Sequence, residues 1–156
     1  MTVVDGFSPE LVAALEASGW TRDRRVDIEQ WDAVLSVEGY HLSDVARELL
    51  ESLGDLRVQP VFEGEYRSSL YFEPEAAGAG AIDIAEELEG LFGQRFYPLA
   101  EWISASCVFV GEHGKVASYD DVEMLDIGDT VNEGLEVMVL GTRAPRVIRN
   151  THYPQW

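Results

Sequence analysis

"ISASCVFVGEHGKVASYDDVEML", residues 103–125, holds three strand-like runs divided by two turn signals. "ISASCVFV" and "KVASYD" flank "GEHGK", where closely spaced glycines let the chain reverse as a hairpin. The paired aspartates Asp120 and Asp121 interrupt the pattern before "VEML" resumes it. Three short strands joined by tight turns predict an antiparallel meander. What flanks them decides the class of fold.

On the C-terminal side, "GDTVNEGLEVMVLG" (128–141) reads as a helix. Thr130 and Glu133 form a capping box, Val131, Leu135, Met138 and Val139 make the apolar stripe, and Gly141 ends it. Gly134 inside that helix costs about 1 kcal/mol against alanine. A close helix-on-sheet contact would account for it.

Toward the N-terminus, Asp83 and Glu86 open a helix that buries Ala85, Leu88, Leu91 and Phe92 and stops at Gly93. "AAGAGA" (76–81) is a small-residue loop without the Gly-Lys-Ser/Thr ending of a phosphate-binding loop. "LRVQPVFEGEY" and "SSLYFEP" read as a strand pair turning near Glu63 and Gly64, with Pro60 marking an edge or a bulge. Three helices precede them. Ser8 and Pro9 start the first, which Gly19 closes. Asp27 with Gln30 starts the second, and Ser43 caps the third, whose stripe is Val45, Leu49, Leu50 and Leu53. The expected architecture is α+β: one domain over residues 1–141, an antiparallel sheet of mixed-length strands and about five flanking helices. Residues 142–156, "TRAPRVIRNTHYPQW", lack periodicity and read as a basic tail, mobile or docked on the acidic body.

A length of 156 residues with 46% hydrophobic content is enough for one sizeable core. No apolar run reaches a membrane span, and MTVVDGFSPE has neither the basic nor the apolar region of a signal peptide. The lone cysteine, Cys107, has no intramolecular partner and reads as a core thiol. A reducing cytoplasm is the expected location. The formal charge is −18, and residues 27–141 carry 25 acids against five basic residues. Such a field repels nucleic acid and anionic membranes and attracts basic proteins; solubility alone would also explain it.

Catalytic signals are weak. His41, His113 and His152 are far apart in sequence, so neither a metal nor another cofactor is expected. The carboxylate pairs Glu63/Glu65, Glu73/Glu75 and Asp120/Asp121, with Glu123, could serve a hydrolase. In a chain with 29 acids such pairs arise by chance, so a solvated face is the simpler account of each. "ASGWTRDRRVDIEQW" (17–31) sets three arginines between Trp20 and Trp31. If "TRDRRV" is extended, Arg24 can stack on either tryptophan and hold a carboxylate, which makes the segment a structural clamp rather than a ligand site.

Gly19-Trp20 followed by Arg24 and Val26 resembles the signature of the SUKH superfamily of bacterial immunity proteins, in its third group. The resemblance continues through "ELLESLGDLRV", Phe72 and Pro74, "YPLAEW" (97–102) as a turn, Gly114 with Val116, and "GDTVNEGLEVMVLG". It departs at Asp55, where a second glycine is usual, and at Ala100, which replaces the glycine before Glu101. It spans roughly residues 7–141. What it implies is a SUKH fold without catalytic residues that binds and neutralises a cognate toxin of a polymorphic-toxin system, often a nuclease. A basic toxin would suit the acidic surface. The alternatives are a general interaction module of the same fold that regulates a host partner, or a small hydrolase using the acids.

Two surfaces are expected to receive the partner. Val58–Glu75 alternates apolar groups with Glu63, Glu65, Glu73 and Glu75 and offers Tyr66 and Tyr71; Asp120, Asp121 and Glu123 form the second. Gly19, Trp20, Arg24 and Trp31 are expected to be structural.

Overall fold

The computed structural model describes residues 2–102 and 106–150. Six α-helices and seven strands follow one another as α1 (Pro9–Ala17), α2 (Glu29–Glu38), α3 (Asp44–Leu53), β1 (Arg57–Val58), β2 (Leu70–Tyr71), α4 (Pro74–Gly78), α5 (Ile82–Phe92), β3 (Phe96–Trp102), β4 (Cys107–Gly111), β5 (Val116–Tyr119), β6 (Glu123–Gly128), α6 (Val131–Leu140) and β7 (Arg146–Asn150). The strands form one sheet in chain order, every neighbouring pair antiparallel. The α+β antiparallel architecture read from the sequence is the one observed.

Local chemistry explains most helix starts. Ser8 Oγ accepts from Leu11 N, Ser43 Oγ from Ala46 N and Thr130 Oγ1 from Glu133 N. Two expected caps shift. Asp27 accepts from Glu29 N ahead of the helix, so α2 begins one residue later than a box with Gln30 requires. Asp83 lies inside α5, which starts from Ala81 without a side-chain cap. The small-residue stretch at 76–81 is not all loop. Glu73 accepts from Ala76 N and Pro74 presets the first helical position, which nucleates α4.

The largest correction is at 97–102, expected as a turn. "FYPLAEW" is strand β3, and the pairing with β4 shifts register between Pro98 and Ala100. A bulge there accommodates a proline in an interior strand. Ala100 is fully buried where the family pattern has glycine. The other departure, Asp55, has φ of +65°, and among the described residues it alone is a non-glycine at positive φ. Aspartate tolerates that conformation better than most side chains.

Opposed residues of an antiparallel ladder share a face. Pro98, Phe109, Ala117 and Asp126 are paired in turn and define the face under α4 and α5; Gly78 of α4 packs on Pro98, and Lys115 lies over the Phe92 ring of α5. Tyr97, Val110, Val116 and Gly128 define the opposite face, covered by α6. There Gly134 has its explanation. A Cβ on it would stand 2.6 Å from Val116, and one on Gly128 would stand 2.5 Å from the Gly134 amide nitrogen. Gly128→Ala is therefore expected to lift α6 and cost about 1–3 kcal/mol. A urea midpoint unchanged from wild type would refute that close approach.

Beyond Gly141 the chain does not trail away as a tail. β7 pairs with β6, and its arginines meet acids of the body: Arg146 lies 3.7 Å from Asp126, and Arg149 pairs with Glu87 of α5. Just before it, Arg143 donates to Glu133 and to the Ile127 carbonyl. The missed signal is "RVIRN", too short for periodicity but β-branched at its centre. Residues 151–156, with His152, lie outside the described residues.

Candidate partner-binding surface

The contacts of the 17–31 segment differ from those of the expected clamp. Gly19 takes φ of +102° at the end of α1 and delivers Trp20 to the core, where its indole N–H donates to Ser52 Oγ at 3.0 Å. Trp31 packs against Gly54, so both tryptophans hold the C-terminal end of α3. Among the described residues, Arg24 does not stack on either of them and binds no carboxylate. It donates to the Ser52 carbonyl at 3.0 Å, while Arg22 lies 5.9 Å from the Trp20 ring centroid and 3.5 Å from Asp5. The reason is local. Arg24 N bonds back to the Thr21 carbonyl, so the segment turns and the alternation of an extended chain does not apply.

Histidine chemistry gathers no further. His41 and His113 do line one open cleft of about 360 Å³ with Arg95, which the sequence gave no reason to expect. Among the described residues, no group of three or more His, Cys, Asp or Glu could hold a metal. Cys107 is half-buried rather than fully buried, and burial, then Glu101, Asp121 and Asp120, raise its pKa. A thiol held protonated this way is a poor nucleophile.

The residues expected on one binding surface are divided between the two faces of the sheet. Strands β1 and β2 are only two residues long, with a loop from Gln59 to Ser69 between them. That loop lays Tyr66 over Trp102, ring centroids 6.3 Å apart and planes 23° from parallel. Trp102 pairs with Leu70 and points to the α6 face, away from Glu101. Burial, then the charges of Glu123 and Glu65, raise the Tyr66 pKa. Glu63 extends into solvent and lies 3.7 Å from Arg67. Tyr66, Glu65 and Glu123 thus form one acidic aromatic cluster.

Tyr71 lies on the α5 face. It pairs across strands with Glu101, Glu101 with Cys107, and Cys107 with Tyr119. Arg57 sits over the Tyr71 ring at 3.8 Å from its centroid, and Arg149 lies 5.9 Å from that of Tyr119. Asp120 and Asp121 flank this row at the β5–β6 turn, where Asp120 accepts from the Val122 and Glu123 amides at 2.7 Å each. Glu73 is occupied in capping α4, and Glu75 is exposed in its first turn. Glu101, absent from the sequence-based surface, stands between Tyr71 and Cys107 in this row. Only the strand register reveals that.

No helix among the described residues is long and apolar enough to cross a membrane. Compared with known families, residues 7–141 match the family described as SUKH-3 immunity protein. No curated protein and no solved structure matches the chain.

Proposed function

The chain belongs to the SUKH-3 immunity protein family, and from that premise we propose that it binds and neutralises a cognate toxin in the cytoplasm, by occlusion rather than by chemistry. The family match over residues 7–141 carries the proposal. The charge of the same region supports a basic toxin, a nuclease of a polymorphic-toxin system being the class whose own substrate demands a cationic surface. Exposed carboxylates such as Glu63, Glu65 and Glu75 supply the long-range attraction, and half-buried tyrosines supply the anchoring area.

The test is co-expression with the toxin encoded beside this gene. Growth is expected to be rescued and the two chains to co-purify, with an association rate that falls steeply as salt rises. Equal killing with and without this protein would sink the proposal.

A further inference from the structure

The row across the α5 face has an order that the sequence does not display. From the β1 edge inward, it runs Arg57, Tyr71, Glu101, Cys107 and Tyr119 on adjacent strands, with Arg149 beyond on β7. Each tyrosine therefore has an arginine of this chain on its outer side. Between the tyrosines stand a carboxylate and a small thiol side chain. Three strand spacings separate Tyr71 from Tyr119, about 14 Å. This strip, a trough only in that a tyrosine stands at each side, is acidic at Glu101, and the charges of Glu101, Asp121 and Asp120 all act on Cys107 within it. Helices α4 and α5 cover the part of this face around Pro98, Phe96 and Ala117, and they leave Tyr71, Glu101, Cys107 and Tyr119 half-exposed.

We propose that this trough seats an arginine side chain of the partner protein, its guanidinium lying between Tyr71 and Tyr119 and paired with Glu101. The chemistry favours arginine over lysine. A planar guanidinium stacks on an aromatic ring and meets a carboxylate through two parallel N–H donors, whereas an ammonium does only the second, and at a point. Arg57 on Tyr71 already shows a guanidinium at home on one of these rings. Among the described residues Glu101 has no ion-pair partner, although Arg57 is only two strands away. The other candidate surface, around Tyr66, differs in kind: its ring lies flat on Trp102 and leaves no trough between aromatic walls.

This inference rests on the toxin-binding reading for its partner, yet the trough can be probed without the toxin. The intact protein is titrated with the blocked peptide acetyl-Gly-Arg-Gly-amide and followed by amide NMR shifts, with the lysine peptide alongside. Saturable shifts are expected at Tyr71, Glu101, Cys107 and Tyr119, with affinity at least threefold better for arginine. Glu101→Gln should weaken binding about tenfold, while Glu63→Gln with Glu65→Gln leaves it within twofold. Shifts centred on Tyr66, or titrations unaltered by Glu101→Gln, overturn the proposal. Growth rescue then separates the two readings. A Glu101→Arg variant that protects as well as wild type removes the trough and leaves neutralisation standing. Peptide binding at the trough without any rescue by the wild-type chain removes neutralisation and leaves the trough.

Discussion

Trp20→Ala is expected to lower the unfolding free energy by about 3–5 kcal/mol, the range for deleting a large aromatic from a close-packed core. Trp20 is 1% exposed and lies among the largest buried side chains. Its loss opens a void at the C-terminal end of α3 and strips Ser52 Oγ, itself buried, of its hydrogen-bond donor. Trp20→Phe narrows the loss, because it keeps one aromatic ring in the core while removing the N–H and the second ring; about 1–3 kcal/mol is then expected. Arg24→Ala should cost less than Trp20→Ala, since it removes one bond to a carbonyl and strands no carboxylate. Urea unfolding of the three variants reads all of this. Wild-type stability in Trp20→Ala, combined with lost partner binding, would make the segment an interaction site instead.

Lys115→Met is expected to cost about 3 kcal/mol, the lower end of the range for breaking a buried ion pair from one side. The lysine and Asp126 side chains are 10% and 15% exposed, and Nζ donates to Asp126 at 2.8 Å and Asp129 at 2.7 Å. Methionine retains the stem against Phe92 and leaves Asp126 desolvated, with its other oxygen already lacking a partner among the described residues. Burial works against the charged lysine, but the two carboxylates outweigh it and raise its pKa above the ordinary value of 10.5. A raised lysine pKa means that its contribution is complete below 10.5 and is lost only as pH climbs through the folded-state value. The gap between wild type and variant should hold from neutral pH to about 10 and narrow above it. A gap that narrows between pH 7 and 9 would contradict this sign.

What the sequence displayed was whatever a local rule governs. Ser8, Ser43 and Thr130 each cap the helix they open, and Gly134 marks a place where α6 comes close to the sheet. β3 escaped because it is apolar on both faces and carries Pro98, so it shows neither alternation nor an unbroken run. A bulge reconciles the two, and a bulge is a property of pairing. β7 escaped because five residues cannot establish a period. The proposed binding surface was legible only as ingredients. Tyr66 and Tyr71 are five residues apart, which in two-residue strands joined by a loop says nothing about which face each takes. Glu101 could not be nominated without the register that sets it between Tyr71 and Cys107.

Strand order equals chain order, so each rung of the sheet joins segments that are already neighbours along the polymer. Little loop entropy is spent on any one pairing, and the sheet can lengthen by accretion from β1 toward β7. The N-terminal helix is the exception. Its seat is made by α6: Ser8 N donates to Asn132 Oδ1 at 3.0 Å, and Ser8 Oγ donates to Glu136 at 2.8 Å, across separations of 124 and 128 residues. On the ribosome, α1 therefore emerges long before the α6 seat to which Ser8 bonds. By docking there, α1 ties the two ends of the matched region together.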